Sequence, residues 1–184
     1  MRVPAVLRMV VVLTLALAAG GGETAARRLD RVPEMAPAEE QASEVVVLKG
    51  ERRLILRRGE AEIAAYDIAL GFEPEGHKRR EGDGRTPEGR YVIDWRNPRS
   101  AFHLSLHISY PGAAGSAAAA EAGESPGGMI MIHGLPPGLR WLGAAHALRD
   151  WTAGCIAVTS EEIEEIWRLV PDGTPIEIRS TPKG

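Results

Sequence analysis

Apolar positions in this chain come mostly in short runs. Residues 45–48, 54–56, 63–70 and 91–93 are brief and rich in aliphatic or β-branched side chains. Turn signals separate them at Lys49-Gly50, Arg58-Gly59 and from Gly82 to Gly89, so each run is expected to be a strand. The stretch "AFHLSLHISY" sets Phe102, Leu104, Leu106 and Ile108 against His103, Ser105, His107 and Ser109. That alternation predicts a half-buried strand. The small residues of 111–128 predict a loop with a possible helical turn in its alanines. "MIMIHG" then reads as another strand, ending on His133-Gly134.

One segment follows a different period. In "TSEEIEEIWRLV", Ile163, Ile166, Trp167 and Val170 recur at helical spacing, and Thr159 with Glu162 forms a capping-box signature. Pro171-Asp172-Gly173 stops the helix, and "TPIEI" returns as a last strand. No internal repeat is visible. The expected fold is mainly β with a few helices, a mixed β-sandwich or barrel-like domain over residues 44–179, with 180–184 as a tail. An alternating parallel α/β architecture does not fit.

The first residues change the picture. Residues 1–22 place Arg2 and Arg8 before an uncharged apolar run and an Ala-Leu-Ala site, the pattern of an export signal. An uncleaved membrane anchor is the alternative. Residues 23–43, rich in Ala, Pro, Glu and Arg, are expected to be a solvated linker or N-terminal arm, or a short helix. The chain has 184 residues and a net charge of −3, which becomes −5 without the signal. No basic stripe interleaves with aromatics, so nucleic acid is not an expected partner. Export implies an oxidising compartment.

In that compartment the single cysteine, Cys155, cannot form an internal disulfide. A buried inert thiol, an intermolecular bridge, a metal ligand and a nucleophile remain open. His133 ends an apolar strand and is followed by Gly134, and Cys155 follows Gly154. A Cys-His pair from two different elements suits nucleophilic catalysis, and backbone beside glycine can approach a substrate closely. A metal site fits poorly: His103 and His107 lie on a predicted strand, where four positions span roughly 13 Å. His77 and His146 are expected at the surface. "EGDGRTPEGR" lacks the ending of a phosphate-binding loop and reads as a turn-rich loop. Its positive bias, from Lys78, Arg79, Arg80, Arg85 and Arg90, could receive an anionic group.

Three motifs in order resemble the L,D-transpeptidase (YkuD-type) catalytic domain: "GDGRTPEGRYVI", "IHG" at 132–134 and "TAGCIAV" at 152–158. The resemblance spans about residues 45–178. Two positions depart from the family pattern, with Ala153 where a histidine usually precedes Gly-Cys and Ala157 where Arg or Asn is usual. "DWTAGCIAV" is similar to a branch that lacks that histidine. The resemblance implies Cys155 as nucleophile and His133 as proton acceptor and donor. It implies the Gly134 carbonyl as the group that orients the imidazole, and N–H groups of Gly154 and Cys155 as the oxyanion hole. Trp151, Thr152 and Ala153 would face substrate. It further implies a peptidoglycan stem-peptide donor, an amine acceptor and no cofactor, with an acidic thiol as the expected sign of activation. The products would be 3→3 cross-links or protein attachments. Hydrolysis as a carboxypeptidase or amidase, and a non-catalytic murein-binding domain, are the alternative readings.

Overall fold

The computed structural model describes residues 32–180. The expected export signal or anchor, the first part of the arm (23–31) and residues 181–184 lie outside the described residues. Eight strands are described: β1 (Glu44–Leu48), β2 (Arg53–Arg58), β3 (Ala61–Asp67), β4 (Gly89–Ser100), β5 (His103–Ile108), β6 (Met131–His133), β7 (Ile156–Ala157) and β8 (Pro175–Arg179). They form one sheet in the order β3-β2-β1-β8-β4-β5-β6-β7. Pairing is antiparallel except for β1 with β8 and β6 with β7. The fold is mainly β with a few helices, as the apolar runs predict.

The sheet curls because β4 serves both halves. Its first residues pair with β8 and its later ones with β5, across register shifts that bend and twist a strand. The chain leaving β3 then meets the opposite edge. Ala69 and Ala157 exchange N–H···O bonds of 3.0 and 2.9 Å, and Gly71 bridges to Thr152. A half-barrel results, with its two ends stitched at a seam.

The concave face holds the core. Val45, Leu54, Leu106, Ile132 and Ile156 pack there with Ile163, Ile166 and Trp167 from the amphipathic helix, each buried aliphatic side chain contributing roughly 1.5–3 kcal/mol. That helix (Ser160–Leu169) carries the capping box the sequence announces. Thr159 Oγ1 accepts from the Glu162 N–H at 3.1 Å, and Glu162 Oε2 accepts from the Thr159 N–H at 2.7 Å.

Four features depart from the sequence reading. The alanine-rich segment contains a full helix, α1 (Gly112–Glu121); the amphipathic helix is α2. Residues Pro137–Leu148 form a 3-10 segment kinked at Gly143, where the sequence shows no periodicity. The short 91–93 run is the middle of a twelve-residue strand. Residues 32–43 contain a short 3-10 helix at Ala38–Glu40, in line with the alternative reading of the arm, but they are also docked: the N–H groups of Ala36 and Ala42 donate to the carbonyls of Arg168 and Leu169 at 2.9 and 2.7 Å. Those carbonyls end α2 and have no partner within it, which is why a polar arm finds a seat there. Among the described residues, no helix is long and apolar enough to cross a membrane.

Candidate active site

Cys155 sits at the seam, immediately before β7. In the parallel β6–β7 pair, Ile132 lies beside Ile156 and His133 beside Ala157. Ile132 and Ile156 face the core, so alternation sends Met131, His133, Cys155 and Ala157 to the outer face. Standard strand spacings put the Cα atoms of His133 and Cys155 about 8 Å apart, within side-chain reach of one another. The sequence places these two residues 22 positions apart, and the parallel pairing brings them to one face.

Close backbone packing sets the turn that presents the thiol. Gly154 has φ +130°, and a Cβ there would lie 2.6 Å from the Arg85 carbonyl oxygen. A Cβ on Gly71 would fall 2.1 Å from the Gly84 oxygen and 3.1 Å from the Gly154 Cα. The glycine-rich loop is therefore the backing of the cysteine turn. Its positive bias is partly internal: buried Lys78 pairs with Asp83 at 2.8 Å. Upstream, Asp150 accepts from the Leu70 N–H at 2.8 Å and from the Arg52 guanidinium, tying the start of the turn to the far side of the seam.

Thr152 has a role different from the expected one. Its hydroxyl accepts from the Gly154 N–H at 3.1 Å and donates to the Cys155 carbonyl at 2.7 Å. The side chain is buried and braces the turn from within instead of facing a ligand. The Gly154 N–H, expected as an oxyanion donor, is thereby occupied. The Cys155 N–H donates to no protein acceptor among the described residues and is a free donor of the turn, as is the Ala153 N–H. Ala153 is exposed, so a position without a side-chain donor opens on solvent.

His133 is buried between aromatic rings, with centroids 4.4 Å from Phe102 and 5.8 Å from Trp151. Its Nδ1 lies 2.7 Å from the Gly134 carbonyl oxygen, which can only accept, so Nδ1 carries the proton and Nε2 keeps its lone pair. Burial lowers the imidazole pKa despite that bond, and nearby His146 lowers it further. Burial also raises the Cys155 pKa, against the opposing pulls of the Met131 N–H and the Lys78 charge. The expected acidic thiol is not what the structure shows: both groups rest neutral. Sγ points to the Met129 carbonyl at 3.6 Å.

Sequence reasoning placed His146 at the surface, yet it is buried and neither ring nitrogen has a partner. It lines an apolar groove of about 450 Å³ with Leu135, Leu139, Leu142, Leu148 and Trp151. Burial lowers its pKa. No signal marked it, because the 3-10 segment that carries it lacks a readable period. His103 bonds Glu164 and Arg140, His107 bonds Asp94, and His77 accepts from the Glu88 N–H, so the histidines are dispersed among separate partners.

The comparisons bear on this geometry. The chain is 30% identical over 135 residues to YafK of Escherichia coli K12, provisionally named an L,D-transpeptidase, covering 72% of this chain and 44% of that one. It thus spans less than half the length of the curated relatives it matches. Among solved structures, the helical cell shape determining protein Pgp2 of Campylobacter jejuni superposes with a TM-score of 0.60 at 21% identity, over 84% of this chain and 53% of that one. Bd1075 of Bdellovibrio bacteriovorus gives 0.53 at 23% identity, over 82% and 52%. An L,D-transpeptidase of Mycobacterium smegmatis gives 0.51 at 12%, over 76% and 59%. These likenesses establish the fold. The family model for the YkuD L,D-transpeptidase catalytic domain matches residues 42–178, and the chain belongs to that family.

Proposed function

We propose that the chain is a cysteine L,D-transpeptidase acting on peptidoglycan stem peptides outside the cytoplasmic membrane. The observation that carries this reading is the fixed His133 tautomer, with an unprotonated Nε2 on the same sheet face as the lone thiol. Because both groups rest neutral, the imidazole works as a general base rather than as half of a preformed ion pair. Rotation about the Cys155 Cα–Cβ bond turns Sγ from Met129 toward Nε2. Nε2 takes the thiol proton as sulfur attacks the carbonyl of the third stem residue, and the tetrahedral oxyanion meets the Cys155 N–H. A donor of this kind is worth roughly 10²–10³ in rate. Collapse breaks the amide bond; His133 returns the proton to the departing D-alanine amine, leaving a thioester on Sγ. An acceptor amine then attacks the thioester, His133 relays its proton to sulfur, and the thiol is restored with a 3→3 cross-link or a protein attachment made.

Ala153 favours a second reading, since an exposed position with only a methyl side chain leaves room for water to reach the thioester. Hydrolysis would make the enzyme an L,D-carboxypeptidase, or an amidase on existing attachments. Purified protein incubated with disaccharide-tetrapeptide, with and without an acceptor amine, separates these by mass spectrometry. D-alanine release by the wild type and none by Cys155→Ala is the expected result. Equal release by the variant would overturn the assignment. Export itself is tested by locating the protein in cell fractions.

A further inference from the structure

A second cluster shares the outer face with the thiol. Between Ile93, which pairs with Ile108, and Arg96, which pairs with Leu106, β4 carries two residues against one on β5. This bulge aims Asp94 and Trp95 at His107. Asp94 Oδ1 lies 2.6 Å from His107 Nδ1, and the Trp95 and His107 rings stack at 4.8 Å and 16°. His107 sits opposite Met131 in the β5–β6 register, and Met131 lies level with Cys155 across β6 and β7. The row Cys155, Met131, His107, Trp95 therefore crosses four strands on one face. At about 4.8 Å per strand it is about 14 Å long.

We infer that Asp94, Trp95 and His107 form a carbohydrate subsite for the glycan end of the donor substrate. The chemistry suits a sugar. One indole face is covered by the imidazole and held rigid by it, while Trp95 remains 37% exposed, leaving ring surface for the apolar face of a pyranose. The Asp94 carboxylate, 41% exposed, stands beside that ring to accept from sugar hydroxyl or acetamido N–H groups. The distance suits the substrate as well. A stem peptide attacked at its third residue extends about 10–11 Å back to its N-terminus at 3.3–3.6 Å per residue. With the stem peptide laid along this row, above the largely buried Met131, the lactyl-linked amino sugar attached there falls at His107 and Trp95. This subsite rests on the transpeptidase reading for its substrate, while the cluster itself is independent of it.

Two measurements on the full chain decide the matter. Steady-state D-alanine release is compared for disaccharide-tetrapeptide and free tetrapeptide. The wild type should show a KM about tenfold lower for the glycosylated donor, the size of one stacking contact with one hydrogen bond. Trp95→Ala and Asp94→Asn should bring the two KM values together. Separately, peptide-free N-acetylglucosamine oligomers should shift the Trp95 indole and His107 signals in 1H–15N spectra, and Trp95→Ala should abolish saturation. Equal KM values in the wild type, a difference that persists in Trp95→Ala, or sugar-induced shifts confined to other residues would each overturn the subsite. If neither donor is turned over, the transpeptidase reading falls and the sugar titration alone decides the subsite.

Discussion

Thr152→Val isolates what holds the cysteine turn. Valine has nearly the same shape, so the buried site stays filled while the hydroxyl is lost. Two hydrogen bonds go with it: the Gly154 N–H donation at 3.1 Å and the donation to the Cys155 carbonyl at 2.7 Å. The Gly154 N–H is buried and pressed against the Arg85 backbone, so water cannot replace the lost acceptor. An orphaned buried donor costs about 1–3 kcal/mol, and the second bond adds about 1 kcal/mol. Against a small apolar gain, the net loss is about 2–3 kcal/mol, or roughly 4–12 °C in Tm for a domain of this size. Thr152→Ser keeps both bonds and removes one methyl group, a loss of about 0.8 kcal/mol. Thermal melts followed by circular dichroism, with urea midpoints beside them, should rank wild type above Ser above Val. Alkylation of Cys155 should slow in the valine variant and be nearly restored in the serine variant. A valine variant as stable as the serine one would show that the hydroxyl does not brace the turn.

Three further outcomes follow from the same geometry. Burial raises the Cys155 pKa, so the pH dependence of its alkylation should have its midpoint above the ~8.5 of a free cysteine; a midpoint below that value would show a preformed thiolate. Gly154→Ala forces a Cβ to 2.6 Å from the Arg85 oxygen at φ +130° and should cost about 2–4 kcal/mol by urea denaturation, a shift under 1 kcal/mol contradicting the packing described. Burial pushes the Asp83 pKa up, but hydrogen bonds from Lys78 and from the N–H groups of Arg79, Arg80 and Arg85 outweigh it and hold the carboxylate well below its usual range. A carboxyl depressed on folding stabilises fully above its unfolded pKa, near 3.9, and loses that contribution as pH falls through the folded value. Asp83→Asn should therefore melt lower than wild type from pH 5 to 7, with the gap closing only below about pH 4; a gap unchanged at pH 2 would exclude this origin.

Strands and the capped helix were legible because burial on one side of a regular element leaves a period in the sequence. The alternation of 101–110 and the Thr159–Glu162 box lie where the sequence puts them. α1 was obscured because its glycines argue for a turn and its alanines have no apolar face to show, with only Ala119 buried. The 3-10 segment has no period to read, so the burial of His146 in it went unseen. Within the site, sequence alone could nominate Cys155 and His133 from their glycine neighbours and motif order. It could not reveal that Thr152 turns inward, because a hydroxyl near a nucleophile suits a substrate contact as well as a turn brace. Nor could it show the sign of the thiol shift, which depends on how far burial of the thiol outweighs the opposing pulls of the Met131 N–H and the Lys78 charge.

The position of β8 has a consequence for how the molecule comes together. This strand, from the last part of the domain to be synthesised, lies between β1 and β4, pairing residues 45–48 with 176–179 on one side and 89–92 with 175–178 on the other. Until it is inserted, β3-β2-β1 and β4-β5-β6-β7 have no shared ladder, and the seam joins them only through isolated contacts such as the bridges Ala69–Ala157 and Gly71–Thr152. Contacts so distant along the chain form slowly, because loop closure comes before its reward. Premature termination before residue 175 would leave two half-sheets, each exposing a strand edge open to intermolecular pairing. The thiol would then be present without the environment that controls it, so a complete chain and a competent site should appear together during folding.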